Sequence, residues 1–203
     1  MSERLLILLI GLPGSGKSTL AQYLRAFLSP CRLISTDAIR AHLFGDEAVQ
    51  GPWLRVQPEI QCQLQAAAML VAQGKLQGAI YDATHAIRQH RREAVVLARQ
   101  AGFSSIIGFW LDPPLDCCLD RNQQRDRRVP ETVIRRMYHQ LCSAPPTLAD
   151  GFDCLIRKTD LLEIGVNKSG FLSAWVQLAR SKTFTSGGLP AWNSLTDLSD
   201  GRG

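Results

Sequence analysis

Hydrophobic residues in this chain arrive in two patterns. Short uninterrupted apolar runs alternate with longer stretches in which they recur every three or four positions. The run Arg4 to Ile10 (RLLILLI) has no polar interruption after its first residue, as expected of a central parallel strand covered on both faces. A glycine-rich loop follows, and residues 17–28 read as a helix. Arg32 to Ser35 reads as a short strand leading to Thr36 and Asp37. Residues 56–73 carry Ile60, Leu64, Ala67, Ala68 and Val71 on one helical stripe. Gly74 and Gly78 bracket its exit, and Ala79 to Tyr81 form a strand ending at Asp82. Residues 88–101 make a helix stopped by Gly102, followed by a strand from Ser105 to Leu111. Pro113 and Pro114 open one helix and Pro130 another, because a proline at a helix start sacrifices no hydrogen bond. Val133, Ile134, Met137 and Leu141 are expected to face inward from the second, and Asp153 to Ile156 forms the last strand.

Strands that alternate with helices predict an α/β domain with a mainly parallel, five-stranded sheet. That domain is expected over residues 1–181. From about Lys182 the chain turns to Ser, Thr, Gly and Asp with few apolar residues, so 182–203 reads as a disordered tail. The 203 residues contain 45% hydrophobic and 20% charged side chains, as in ordinary globular proteins. The net charge of +5 is compatible with an anionic ligand but does not require one. The six cysteines, with no CxxC pair, are expected to be reduced and mostly buried, pointing to a cytoplasmic protein. The apolar N-terminal run is short and leads straight into a glycine loop, so a buried strand explains it better than a leader peptide. No segment has the length needed to cross a bilayer, so no membrane association is expected.

The loop is GLPGSGKST, and Gly11, Gly16, Lys17 and Ser18 satisfy the phosphate-loop pattern. Chance produces such a match in a chain of this length at roughly the one per cent level. Here it also falls between a strand and a helix, where its mechanism requires it. Gly11, Pro13, Gly14, Ser15, Gly16, Lys17, Ser18 and Thr19 are the expected ATP-binding set. Backbone N–H groups would cradle the phosphates at the positive end of the helix. Lys17 would reach the β- and γ-phosphates, and Ser18 the Mg2+ that accompanies ATP.

This loop, with ISTDAIR at 34–40, YDATH at 81–85 and LDRNQQRDRRVPETVIRRMY at 119–138, resembles the phage-type polynucleotide kinase branch of the P-loop kinases. That group is a zeta-toxin-related, AAA-type ATP-binding family. The resemblance runs over residues 4–156 and implies a three-layer P-loop fold with a helical lid. It implies that Asp37 is the general base for the attacking hydroxyl and that Arg40 holds a substrate phosphate. It also implies that Arg125 is the lid arginine that reaches the ATP phosphates. His85 departs from an asparagine common at that point. Nothing like the phage enzyme's phosphatase domain follows, so its two-activity arrangement is not expected.

Each candidate has a plainer alternative. Asp37 is otherwise a helix N-cap, and Arg40, one turn on, a solvated arginine. Asp82 is otherwise a turn residue, although a carboxylate at that strand end suits magnesium, with Thr84 beside it on the acceptor side. Among the lid arginines Arg125 comes first and Arg121 second as ATP contacts, against a solvated charge run. Arg88, with Arg91 and Arg92, is a candidate for the acceptor, against a soluble helix face. The four tryptophans show no stacking pattern, and none is assigned to a base. The expected activity is phosphotransfer from ATP to an alcohol, with the 5′-hydroxyl of a polynucleotide as the best acceptor. The alternatives are a small-molecule kinase (sugar, antibiotic or nucleotide-sugar) and an ATP-binding switch with slow hydrolysis and no transfer.

Overall fold

The computed structural model describes residues 3–159 apart from Glu47, Ala48 and Gln50. The expected tail, and the end of the expected domain, lie outside these residues. Five strands form one sheet: β1 (Leu5–Gly11), β2 (Cys31–Ser35), β3 (Gly78–Asp82), β4 (Ser105–Leu111) and β5 (Cys154–Lys158). All of them pair in parallel, in the order β2-β3-β1-β4-β5. Six helices connect them: α1 (Lys17–Phe27), α2 (Thr36–Phe44), α3 (Trp53–Ala72), α4 (Arg88–Ala101), α5 (Leu115–Gln123) and α6 (Glu131–Ser143). A single 3₁₀ turn, Leu148–Asp150, precedes β5.

The unbroken apolar run at the N-terminus becomes the middle strand, and all its residues are buried. Strand periodicity splits it between two cores. Leu6, Leu8 and Ile10 pack with Ile60 and Leu64 of α3, Val95 and Ala98 of α4 and Ile134 of α6. Leu5, Ile7 and Leu9 pack with Leu20, Ala21 and Leu24 of α1. The result is the expected three-layer α/β domain. Helix α3 begins at Trp53, ahead of the apolar stripe that signalled it, because its exposed first turn carries no periodic residue. In α6, Ile134 and Leu141 are buried, while Met137 packs at the edge of the core.

The cysteines depart from expectation. All six are free thiols, but Cys62, Cys117 and Cys142 are exposed and only Cys118 is fully buried. The three exposed ones lie on the outer faces of α3, α5 and α6. Among the described residues, no helix is long and apolar enough to cross a membrane.

Parallel register fixes the position of the site. Asp82, the last residue of β3, pairs with Leu9 of β1 on one side and Ser35 of β2 on the other. The carboxyl ends of β1, β2 and β3 therefore lie at one edge of the sheet. The connections that leave β1 and β3 run in opposite directions, to β2 and to β4, the arrangement that opens a ligand crevice in parallel α/β folds.

Candidate active site

At that edge lies a cavity of about 690 Å3. Its wall is formed by the loop after β1, the start of α2, the end of β3, the start of α3, one face of α4 and the segment between α5 and α6.

The loop after β1 turns on glycines. Gly14 and Gly16 adopt left-handed backbone (φ 80° and 96°), which side chains with a Cβ rarely do. A Cβ at Gly14 would also collide with the Cys118 carbonyl of α5. The loop therefore rests directly on α5. Gly16 caps α1, so the free N–H groups of that helix open into the loop. The other end of the loop is pinned from β3, where the Gly11 N–H donates to the Thr84 carbonyl at 3.1 Å. His85, next in sequence, is buried and holds φ at +48°, a strained value for a non-glycine residue. Its Nδ1 bonds the Leu9 carbonyl at 2.9 Å, and its ring meets the Tyr81 ring edge-on at 4.7 Å. Burial pushes its imidazole down to about 4, so it is neutral and Nδ1 carries the donated proton. His85 is thus a structural residue that ties the end of β3 to β1.

Lys17 donates from Nζ to the Leu12 carbonyl at 2.7 Å, which holds it across the loop. Burial lowers its pKa to about 8; the Asp82 carboxylate opposes that shift and Arg125 adds to it. Ser18 donates from Oγ to Asp82 Oδ2 at 3.3 Å. Burial raises the Asp82 pKa, against the influence of Lys17 and the Ser18 hydroxyl. These two oxygen groups suit Mg2+, which takes few protein ligands and completes its shell with phosphate and water. No cluster of three or more acidic, His or Cys side chains that would enclose a metal occurs among the described residues.

Across the cavity, the helix N-cap proves to be Ser35, whose hydroxyl accepts from the Ala38 N–H at 3.4 Å. Asp37 sits inside the first turn of α2 with its side chain 55% exposed, and the capping alternative falls away. Arg40 approaches Asp37 Oδ1 at 3.3 Å and Arg127 approaches Oδ2 at 3.7 Å. Only 17% of the Arg40 side chain is exposed, and its buried Nε has no hydrogen-bond partner. Such an unsatisfied donor is costly unless a ligand acceptor meets it.

Arg125 lines the cavity with Gln124, Asp126 and Arg127. The base of this segment is closed by Asn122. Its buried amide donates to the Val129 carbonyl at 2.9 Å and accepts from the Val129 N–H at 3.0 Å. Arg121 is exposed on α5 and does not line the cavity. Pro13, Gly14, Gly16, Lys17, Ser18, Asp37, Arg40, Asp82, Thr84 and Arg125 are all brought together there. Gly11 and Ser15 lie beneath the loop, and Thr19 is exposed on α1 outside it.

The arginines at the start of α4 behave differently from expectation. Arg88 bonds Asp150 Oδ1 at 2.8 Å and does not line the cavity. Arg91 is fully buried, so it is neither a nucleic-acid contact nor part of a soluble face. It bonds Asp150 Oδ2 at 2.9 Å and the carbonyls of His85, Ala86 and Ala144. Two aromatic residues do reach the cavity without any signal in the sequence. Trp53 and His90 line it with near-parallel rings, 13° apart in plane and 6.3 Å between centroids.

A family model described as an AAA domain matches residues 6–143. A chain of the Pnkp1/Rnl/Hen1 RNA repair complex superposes with a TM-score of 0.56 at 20% identity, covering 70% of this chain and 45% of that one. A fungal RNA kinase gives 0.59 at 15% identity, covering 95% of this chain and 48% of the other. The tunicamycin resistance protein of Deinococcus radiodurans gives 0.55 at 18% identity, covering 90% and 98%. The chain thus spans less than half the length of the RNA-repair and RNA-kinase chains it resembles. At these identities the likeness is one of fold, the P-loop kinase fold.

Proposed function

The chain belongs to the AAA-domain family, and on that premise we propose that it is an ATP-dependent kinase that phosphorylates a hydroxyl group. The acceptor we propose is the 5′-hydroxyl of a polynucleotide. One observation carries the reading: the cavity that holds the phosphate loop also holds a separate carboxylate–arginine pair, Asp37 with Arg40. A hydrolysing switch needs the first and has no use for the second.

The loop N–H groups and Lys17 bind the β- and γ-phosphates. Ser18 and Asp82 would hold the Mg2+ that accompanies ATP, which would supply neutralisation of phosphate charge. Arg40 offers its guanidinium to an acceptor phosphate and so fixes the acceptor against Asp37. As the acceptor oxygen attacks the γ-phosphorus, the new O–P bond forms and the bond to the β–γ bridging oxygen breaks. The hydroxyl proton passes to the Asp37 carboxylate, and ADP leaves. Lys17 and Arg125 stabilise the negative charge that spreads over the transferring oxygens.

The test is transfer of labelled phosphate from γ-labelled ATP to 5′-hydroxyl oligonucleotides and to a panel of small alcohols. Asp37→Ala should cut transfer about 100-fold or more, the scale of a lost general base, while ATP still binds. Lys17→Ala should weaken ATP binding itself. Full transfer by both variants would sink the proposal. A second reading, a small-molecule kinase, draws on one observation: the chain matches 98% of the length of the tunicamycin resistance protein. Transfer to a small alcohol with none to oligonucleotides would select it.

A further inference from the structure

We propose that Trp53 and His90 form the platform on which a nucleobase of the acceptor stacks, so that the acceptor is a nucleoside or nucleotide rather than a free sugar. This rests on the kinase reading above and specifies the substrate class of the same cavity.

Trp53 opens α3 and His90 lies in the first turn of α4, 37 residues later in the chain. The packing of α3 against α4 brings their rings to near-parallel planes at the cavity wall. Both are exposed, with 44% of Trp53 accessible. Trp53 therefore leaves much of its indole open at the cavity wall. A flat, sequence-tolerant stacking face is what a base requires.

Charge separates the two halves of the cavity. Arg40 and Arg127 lie on the Asp37 side. On the platform side, one turn after His90, lies Glu93, which accepts from the Gln89 amide at 2.8 Å. A carboxylate repels phosphate but accepts a hydrogen bond from the exocyclic amino group of a base. Phosphate is thus drawn to one side and the base to the other, with the sugar hydroxyl between them.

The experiment compares wild-type protein with Trp53→Ala, Trp53→Phe and His90→Ala on two acceptors. One is a 5′-hydroxyl oligonucleotide; the other is the same strand with an abasic, tetrahydrofuran residue at its 5′ end. Binding is measured by calorimetry with a non-hydrolysable ATP analogue present, and transfer is measured separately. Trp53→Ala should weaken binding of the base-bearing strand about 5- to 100-fold, the range of one lost stack. The loss should appear in KM with kcat little changed, Trp53→Phe should recover most of it, and the abasic strand should respond little. An equal loss on both strands, no loss on either, or no binding of the base-bearing strand by wild-type protein would overturn the platform. Binding that depends on Trp53 without any phosphotransfer would instead overturn the kinase reading and leave the platform standing.

Discussion

A single ammonium at Lys17 is held between opposing influences. Burial brings its pKa down to about 8, and Asp82 only partly opposes this. In the unfolded chain it titrates near 10.5. Between these values the unfolded state binds more protons, so the ligand-free protein gains stability as pH rises from about 8 to about 10.5. Phosphate oxygens reverse the preference, because they favour the charged form. Nucleotide binding above pH 8 should therefore draw a proton onto Lys17, and affinity for an ATP analogue should fall by up to about tenfold per pH unit. Calorimetry in buffers of different ionisation enthalpy would register the proton uptake, and Lys17→Met should bind weakly with no such slope. A flat wild-type profile between pH 8 and 9.5 would contradict this. At this scale the sequence was legible where chemistry depends on local spacing. Gly16, Lys17 and Ser18 are consecutive, and Asp37 and Arg40 lie one helical turn apart. It was illegible where a partner is remote: Arg88 and Arg91 read as surface cations because Asp150 lies 62 and 59 residues away.

The segment between α5 and α6 shows how one side chain sets the behaviour of an element. Asn122 closes it with two hydrogen bonds to the backbone of Val129, and between them lie Arg125 and Arg127 at the cavity wall. The resemblance marks the arginines, while nothing local announces that Asn122 has a partner seven residues on. Helices and strands were legible because their periodicities differ, and their order alone implied a parallel sheet. The start of α3 was missed because its first turn faces water. Asn122→Ala would leave the Val129 N–H and carbonyl without their buried partner, a change worth about 1–3 kcal/mol. Trypsin should then cut after Arg125, Arg127 or Arg128 at least several-fold faster than in wild-type protein. The KM for ATP should rise while the acceptor KM moves less, because Arg125 is the residue proposed to face ATP. Unchanged cleavage would mean that the lid is held by contacts other than this one.

For the molecule as a whole, the buried pair of Arg91 and Asp150 joins parts that the sheet does not. Arg91 stands on α4 and bonds the carbonyls of His85 and Ala86 after β3 and of Ala144 at the end of α6. Asp150 belongs to the 3₁₀ turn before β5, where its carboxylate also accepts from the Thr147 N–H at 3.4 Å. Because the Thr84 carbonyl anchors Gly11, the carbonyl of His85 that Arg91 holds lies one residue from the strand-to-loop connection of the proposed nucleotide site. Burial alone would raise the Asp150 pKa, but hydrogen bonds from Arg91 and Arg88 more than offset it and the pKa is lowered. A depressed carboxylate contributes stability that is present above its unfolded pKa and is lost as pH falls through the folded value. Asp150→Asn keeps the shape and leaves the Arg91 charge buried without its counter-ion, which should cost about 3–5 kcal/mol near neutral pH. The gap to wild-type protein should narrow as pH drops below about 4, where the carboxyl of the unfolded chain takes up a proton first and the folded carboxyl follows only at lower pH. Urea unfolding midpoints at pH 7 and at pH 3 would measure both. A gap of the same size at the two pH values would mean that the variant acts through packing and not through the charge pair.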